Sequence, residues 1–378
     1  MSRSIEPSHV NDGSNHYAGV HSLAEIVSQP DCWNACLKNL RQDRVLEKVC
    51  ERFGDPAEWL FVGCGSSYYV ALCAAATTTA WTGLRARAVP ASEVLLYPDL
   101  VVPASGTCVP VLISRSGQTS EVLKAAELFK ARSIPTLAIS CAEAQALEKL
   151  ASLTITLPAA DEKSTVMTRS FTSMLLTLQS LASLLGKKSE DSDALGNISE
   201  VTKRALQTLP DRIRAFAANH QFADYVCLGQ GPFYGLACEY ALKVTEMSVS
   251  YAQAFHTLEF RHGPKSIVGP ETLLVFLLSE RGYAAESDVL EEMKSLGGTT
   301  MVVANRASER VTAAADILVE LSVDGPELVQ LAPSLVPGQL LGLYTGLKKG
   351  LDPDSPRNLS RAVVLGDSSP KKPEHAAF

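Results

Sequence analysis

The sequence lacks the cysteine and histidine spacings of a zinc site, and it contains no Cys-x-x-Cys pair. Its nine cysteines stand singly along the chain. Scattered, unpaired cysteines are typical of a reduced, cytoplasmic protein without structural disulfides. We therefore expect no metal centre, no cofactor and a cytoplasmic location.

Basic blocks and long apolar runs are also missing. The 34 lysines and arginines are outnumbered by 41 acidic residues, giving a net charge of −7, which argues against nucleic acid as a partner. The most apolar stretches, such as 272–279, are too short to span a bilayer. The first 17 residues lack the apolar core of a signal peptide and are expected to form a loose leader.

What the sequence does contain is an internal repeat of domain size. Its 378 residues, 46% of them apolar, are enough for two domains. The run WLFVGCGSSYYVALCAAA at 59–76 matches YVCLGQGPFYGLACEYA at 225–241, and 111–140 matches 275–304 in its order of strand, loop, helix and strand. Both pairs are offset by about 165 residues, which predicts one duplication.

The repeat also predicts the fold class. Each copy alternates apolar strands with helices of about ten or more residues, the pattern of a parallel sheet covered on both faces. We predict an α/β protein with two tandem doubly wound parallel-sheet domains. The predicted boundaries are 1–47 for an N-terminal leader and helix, 48–190 for the first domain, 191–211 for a linker helix, 212–350 for the second domain and 351–378 for an irregular C-terminal tail. The polar stretch 186–197 is expected to begin the link.

Two loops of the first copy follow buried-type strands, where doubly wound sheets bind ligands. The second loop, 114–119, reads Ser-Arg-Ser-Gly-Gln-Thr. Its hydroxyls at Ser114, Ser116 and Thr119, the cation of Arg115 and the free amides of the helix that follows are the parts of a phosphate cradle. The alternative is a helix cap with a turn glycine.

The first loop, 63–67, reads Gly-Cys-Gly-Ser-Ser. We interpret this Gly63-x-Gly65 loop as a tight turn that brings Ser66 and Ser67 near the same ligand. Dinucleotide binding is the alternative, although Tyr68 stands where the fingerprint has its third glycine. In the second copy, the loop 279–283 has lost hydroxyls and gained a carboxylate, so only the first copy is predicted to bind phosphate.

The second copy has its own candidates for chemistry. Glu239, Lys243 and Glu246 lie at i, i+4 and i+7, which puts them on one face of a helix. They could form a solvated ladder of ion pairs, but their helix is expected to start at the sheet edge that holds the ligand loops. His262, before a Gly-Pro turn, could be an inert surface residue or could open a sugar ring by acid-base catalysis.

These motifs together resemble the sugar isomerase (SIS) domain family. Within it, the chain is similar to the isomerase half of glucosamine-6-phosphate synthase and to the group of tagatose-6-phosphate ketose/aldose isomerases and amino-sugar-phosphate deaminases. The resemblance covers nearly everything after about residue 20. It rests on CGSSY at 64–68, SRSGQTSE at 114–121, VMTRSFTSM at 166–174, EYALKVTEMS at 239–248, FRHGPKS at 260–266 and DPDSPRNLSRAVVL at 352–365.

The resemblance implies a role for each candidate. Glu246 would be the base that moves a proton between C1 and C2, with Lys243 as its neighbour. His262 would open the ring from the partner subunit, which implies a homodimer with shared active sites. The substrate would be a sugar 6-phosphate or amino-sugar 6-phosphate. Its phosphate would be bound by Ser67, Ser114, Arg115, Ser116 and Thr119. From the residues themselves we also assign Gly65, Ser66, Thr165 and Arg361 to substrate binding, with Arg361 as a fixed charge that could pair with a sugar oxygen or with phosphate.

Two departures from the synthase narrow the expected reaction. The sequence starts Met1-Ser2, without the synthase's glutaminase domain, and Arg361 stands where the synthase tail has a Schiff-base lysine. A guanidinium stays protonated and cannot form that imine. We therefore expect an amino-sugar-6-phosphate deaminase or an aldose-ketose isomerase. The alternatives are a synthase-type isomerase domain supplied with nitrogen from elsewhere and a non-catalytic sugar-phosphate sensor.

Overall fold

The computed structural model describes residues 17–54, 56–102 and 107–365. Most of the expected leader and the end of the expected tail lie outside these residues. The described chain starts with three helices: α1 (Val20–Val27), α2 (Gln29–Gln42) and α3 (Val45–Phe53). Ile26, Trp33 and Val49 are fully buried in the main core. The N-terminal helices therefore pack onto the rest of the protein.

The first sheet is built from five parallel strands in the order β2-β1-β3-β4-β5. Its elements are β1 (Glu58–Gly63), α4 (Ser66–Thr82), β2 (Ala86–Pro90), α5 (Ala91–Leu96), α6 (Pro98–Val101), β3 (Cys108–Ile113), α7 (Ser120–Ala131), β4 (Leu137–Ser140), α8 (Ala146–Leu150), β5 (Leu153–Thr156) and α9 (Arg169–Leu185).

Two helices, α10 (Ser189–Ala205) and α11 (Leu209–Asn219), lead to a second five-stranded parallel sheet. Its order is β10-β9-β8-β6-β7. Its elements are β6 (Asp224–Gly229), α12 (Phe233–Ser248), β7 (Ala252–Phe255), β8 (Thr272–Leu277), α13 (Tyr283–Ser295), β9 (Thr299–Ala304), α14 (Glu309–Ala314), β10 (Ile317–Glu320) and α15 (Leu331–Lys348).

The two sheets have one topology. Renaming β6 to β10 as the first to fifth strands of their sheet reproduces the order of β1 to β5. This identity of order confirms the predicted fold class of two tandem doubly wound domains.

The polar stretch that was expected to begin the link is largely helical. The polar stretch 186–197 is helical from Ser189 onward, because α10 begins within it. Glu190 and Asp191 in the first turn favour a helix start, and Leu195 and Ile198 bury an apolar stripe in the main core. The stretch is therefore polar because most of its side chains lie on the outer face of a helix.

Both faces of each sheet are covered, which explains the unbroken apolar strands. In β1, Trp59 and Phe61 face the main core, while Leu60 and Val62 face a separate cluster. The main core contains residues from both domains. The two domains consequently share one hydrophobic core.

The helix α12 is fixed by unusually close contact with α15. Gly338, Gly342 and Gly346 form a stripe on α15. A methyl group at Gly342 would lie 2.8 Å from the carbonyl oxygen of Lys243, and one at Gly346 would lie 2.1 Å from that of Met247. Only glycine lets the two backbones approach this closely, so α12 has little freedom to move.

After α15 the chain continues without helix or strand as far as residue 365. The residues that line the candidate site below include 359–363, so this segment returns to the first domain. In the described part of the chain, no helix has the length and apolar character needed to cross a membrane.

Candidate functional site

A cavity of about 200 Å³ lies at the carboxyl ends of β1 and β3. This edge is where the predicted ligand loops meet. Its lining residues are Cys64, Gly65, Ser66, Ser67, Arg115, Ser116, Thr119, Thr165, Val166, Met167, Glu246, Leu359, Ser360, Arg361, Ala362 and Val363. A larger cavity of about 560 Å³ between α2, α3, α9 and α10 contains none of the predicted site residues.

The second loop presents its hydroxyls at the start of α7. Gly117 adopts a positive φ of 63°, which turns the loop toward the helix. The hydroxyls of Ser114 and Thr119 lie 3.1 Å apart, and Ser116 Oγ accepts a hydrogen bond from the Gln118 amide at 3.2 Å. Thr119 occupies the N-cap position without making a side-chain cap. Simple capping therefore does not account for this hydroxyl.

The first loop is the tight turn that the sequence predicts. A methyl group at Gly63 would lie 2.6 Å from the backbone of Ser67, so the turn requires glycine there. The Ser66 hydroxyl donates a 3.0 Å hydrogen bond to Glu239 Oε1 on α12. Ser67 instead contacts Met167 Sδ at 3.9 Å. This loop thus joins the first domain to the charged helix of the second.

The three charged residues of α12 are not a solvated ladder. Lys243 is 1% exposed and lies 3.3 Å from Glu239 and 2.5 Å from Glu246. Glu239 is fully buried, whereas Glu246 is 19% exposed and lines the cavity. The row therefore presents one carboxylate to the cavity, with the buried side chains of Lys243 and Glu239 behind it.

Two predicted arginines lie in the site but have partners within the protein. Arg115 is 5% exposed. Its Nη1 donates to Glu162 at 3.3 Å and its Nη2 donates to the carbonyl oxygen of Arg361 at 2.6 Å. The Arg361 guanidinium pairs with Asp161. Both cations thus hold chain segments together at the cavity edge.

The structure separates His262 from the other candidates. It lies between short 3-10 turns at Glu259–Arg261 and Pro264–Ile267, after β7. Its side chain is exposed and does not line the cavity. Glu246 and His262 of one chain therefore do not share this cavity. Among the residues that are described, no cluster of histidine, cysteine, aspartate or glutamate is placed to hold a metal ion.

A sequence model of the SIS domain family matches residues 57–184 and 225–340, together well over half of the chain. The chain belongs to the SIS domain family. The two matched segments contain the two sheets, so each sheet is one SIS repeat. The resemblance inferred from the motifs is confirmed.

Two similar curated proteins, from different organisms, carry the same name. The glutamine–fructose-6-phosphate aminotransferase (isomerizing) of Bacteroides thetaiotaomicron is 26% identical over 365 residues, covering 91% of this chain and 58% of that protein. Its counterpart in Thermococcus kodakarensis is 28% identical over 361 residues, with 91% and 58% covered. The chain thus spans a little over half the length of these relatives.

Two solved structures that are similar to this chain belong to differently named enzymes. Glucosamine-6-phosphate deaminase from Thermotoga maritima is 31% identical, with a TM-score of 0.75 and coverage of 91% of this chain and 100% of that chain. Tagatose-6-phosphate ketose/aldose isomerase from Escherichia coli is 24% identical, with a TM-score of 0.81 and coverage of 93% and 97%. The second likeness shows a common fold.

The second SIS repeat fills its own ligand loop with carboxylates. Glu286 accepts hydrogen bonds from the amide and hydroxyl of Ser279, at 3.1 and 2.5 Å. Glu327 accepts from the amides of Glu280 and Arg281, at 2.5 and 3.1 Å. A bound anion would be repelled by these carboxylates and would find these donors already engaged. This geometry supports the hypothesis that only the first repeat binds phosphate.

Three acidic residues near the site have contacts that were not predicted from the sequence. Glu162 and Asp161 pair with the two arginines of the cavity edge. Asp354 accepts from the amides of His21 and Ser22 at 2.8 and 2.6 Å, replacing a local cap at the start of α1. No periodicity or spacing marks these residues, because each one acts on a distant segment.

Burial at Glu239 predicts a pH-dependent stability. Desolvation raises the pKa of this carboxyl from 4.5 to about 8, outweighing the attraction of Lys243. Between these pH values the unfolded chain has released a proton that the folded chain retains, so the free energy of unfolding falls as pH rises. The raised pKa values of Glu25 and Glu286 act in the same direction.

We expect the Glu239→Gln variant to lose about 2 kcal/mol or more of this pH dependence between about pH 5 and 8. Urea denaturation of the two proteins at several pH values measures it. Equal slopes for both proteins would show that Glu239 does not titrate in this window. Lys243 has a raised pKa and stays charged throughout, so its contribution is constant.

Proposed function

We propose that this chain is an enzyme that binds a sugar 6-phosphate and moves a proton between C1 and C2 of the sugar. The observation that supports this most directly is the shared cavity of Glu246 and the hydroxyl-rich loops. A carboxylate in the same cavity as a phosphate cradle is what an enzyme of this kind needs, because phosphate binding then positions the reacting carbons. The names of the relatives agree with a sugar phosphate as substrate.

The phosphate would bind at the loop hydroxyls and the free amides at the start of α7. The residues that we assign to it are Gly65, Ser66, Ser67, Ser114, Ser116 and Thr119, with the charge of Arg115 nearby. Gly65 would contribute its amide, and so would Ser66, because the Ser66 hydroxyl already donates to Glu239. Thr165 and Met167 would contact the sugar, since both line the cavity. Because the net charge of the protein is −7, local donors rather than the overall field must attract the anion.

Glu246 would act as the base. With a 2-amino-2-deoxy aldose, it removes the C2 proton to form an enolamine, and return of a proton to C1 produces a ketimine at C2. Water adds at C2 and ammonia leaves, so the product is a ketose 6-phosphate. With an unsubstituted sugar, the same proton shuttle interconverts aldose and ketose.

We favour the amino-sugar substrate. The similarity to a glucosamine-6-phosphate deaminase reaches 31% and extends over all of that chain. The deamination also requires no imine with the enzyme, because the substrate carries its own nitrogen. Arg361 lines the cavity, and its guanidinium could not form such an imine.

His262 would open the sugar ring from the partner subunit of a homodimer. Its exposed position outside the cavity of its own chain is consistent with this role. A C2 dimer would place two such histidines symmetrically, one at each site. Each site would then consist of residues from both subunits.

The proposal is tested by incubating the protein with hexosamine 6-phosphates, hexose 6-phosphates and the unphosphorylated sugars while measuring ammonia and ketose. We expect ammonia and ketose 6-phosphate from an amino-sugar phosphate, and little turnover of unphosphorylated sugars. Ketose without ammonia would indicate the isomerase. Binding without any turnover would overturn the enzymatic proposal and favour a sugar-phosphate sensor.

Ser116→Ala tests the cradle in the same assay. Losing a hydrogen bond to a charged phosphate should raise KM for the phosphorylated sugar by about tenfold or more. Ser308→Ala removes a hydroxyl from an exposed helix cap in the second repeat and is the control. Equal KM values for the wild type and Ser116→Ala would remove Ser116 from the cradle.

A further inference from the structure

We propose that Arg115 and Glu162 form a buried latch that positions the C-terminal segment, 359–365, over the second loop. In this assignment Arg115 is a positioning residue, and phosphate binding is left to the hydroxyls and amides. The catalytic consequences of the latch rest on the proposed function, but its structural consequences do not.

The central group of the latch is the guanidinium of Arg115, which contacts two distant segments. Arg115 follows β3 directly and its side chain is almost completely buried. One of its terminal nitrogens is held by Glu162 and the other by the main-chain carbonyl of Arg361. The planar fork of an arginine can satisfy a carboxylate with one terminal nitrogen and a carbonyl with the other. The side chain therefore joins two segments that are 246 residues apart.

Glu162 is anchored independently of Arg115. Its carboxylate accepts hydrogen bonds from the amide and hydroxyl of Thr168, at 2.6 and 2.9 Å, and from those of Ser170, at 3.1 and 2.5 Å. These four neutral donors lie around the start of α9. Glu162 thus provides a fixed, buried negative charge that holds Arg115 in one orientation.

The C-terminal segment itself has little apolar anchoring. Val364 and Leu365 are 68% and 51% exposed. What holds the segment is polar: besides the Arg115 contact and the ion pair of Arg361 with Asp161, the Ser120 amide donates to the Val363 carbonyl at 3.1 Å, and the Leu365 amide donates to Ser120 Oγ at 2.9 Å. A segment held by so few hydrogen bonds depends strongly on each of them.

The latch consequently connects three parts of the cavity wall. The second loop carries Arg115, the segment before α9 carries Glu162 and Thr165, and the C-terminal segment carries Arg361. All three line the cavity. Removing the guanidinium would remove the hydrogen bond to the Arg361 carbonyl and loosen the C-terminal segment, whereas Glu162 would keep its four other donors and its place.

Limited trypsin digestion of the full-length protein tests the latch. The carbonyl that Arg115 binds belongs to the Arg361–Ala362 bond, which trypsin cleaves when the segment is free. In Arg115→Met, we expect cleavage after Arg361 to be about tenfold faster or more. Arg115→Lys should keep the ion pair but not the carbonyl contact, so faster cleavage is expected there as well. Mass spectrometry of the products identifies the cut.

Arg310→Met is the matched control, because Arg310 is an exposed arginine paired with Asp288 and Glu291 in the second repeat. Its cleavage after Arg361 should equal that of the wild type. An unchanged cleavage rate in Arg115→Lys would overturn the latch. So would faster cleavage at all sites together, since that would indicate a loosened fold.

The catalytic readout is separate. If the proposed function holds, Arg115→Lys should raise KM for the sugar 6-phosphate by about tenfold, with a smaller effect on kcat. If the wild type neither binds nor converts any sugar phosphate, the proposed function fails while the digestion still decides on the latch.

Discussion

Glu246→Gln is expected to lower kcat by about a thousandfold while leaving the affinity for the sugar 6-phosphate nearly unchanged. The amide has the shape of the carboxylate but cannot take a proton from C2. Lys243 keeps Glu239 as a partner at 3.3 Å, so the buried pair behind the cavity survives. Steady-state kinetics and calorimetric binding of the sugar phosphate measure the two effects separately.

Glu291→Gln is the control for this variant. It removes one negative charge from an exposed glutamate of the same repeat, paired with Arg310. Its kinetics should match those of the wild type. If Glu246→Gln loses binding and turnover to the same extent, Glu246 is a structural carboxylate and the proposed base must be sought elsewhere.

His262→Ala is expected to lower turnover by about a hundredfold. Activity should be partly restored when a His262→Ala chain forms a dimer with a Glu246→Gln chain. In a dimer of one His262→Ala chain and one Glu246→Gln chain, one site would combine an intact Glu246 with an intact His262 of the partner. Equal co-expression of the two variants should therefore restore about a quarter of the wild-type activity, since half of the dimers would be mixed.

Separately purified variants, assayed without subunit exchange, are the control and should stay inactive. Absence of recovery in verified mixed dimers would contradict the shared site. If His262→Ala is as active as the wild type, His262 is an inert surface residue with no role in ring opening. The assay of His262→Ala alone shows whether His262 is needed, and the mixed dimers show whether the partner subunit supplies it.

Much of the site could be predicted because local spacing determines it. In a parallel sheet every strand ends at the same edge, so the loops at 63–67 and 114–119 had to be neighbours. The i, i+4 and i+7 spacing of Glu239, Lys243 and Glu246 had to place them on one helix face. Both predictions agree with the structure, since both loops and Glu246 line one cavity.

Burial and partners could not be predicted in the same way. The spacing of Lys243 is equally compatible with an exposed ladder, whereas in the fold its side chain is 1% exposed and lies between Glu239 and Glu246. From the sequence, Arg115 is predicted to be a phosphate-binding cation in a loop. In the structure its guanidinium donates hydrogen bonds to Glu162 and to the Arg361 carbonyl.

The sequence by itself determined that this protein has two α/β repeats, that its hydroxyl-rich loops belong to the first, and that its charged helix belongs to the second. These properties follow from periodicities and motifs within a few residues of each other. Only the tertiary structure decided which charges are buried, that Glu286 and Glu327 fill the loop of the second repeat, and that the C-terminal segment lies at the cavity. Several of these contacts join residues that are distant in the chain, such as Glu327 with the Glu280 amide and Arg115 with the Arg361 carbonyl. The energy of a buried charge also depends on the solvent that the fold excludes.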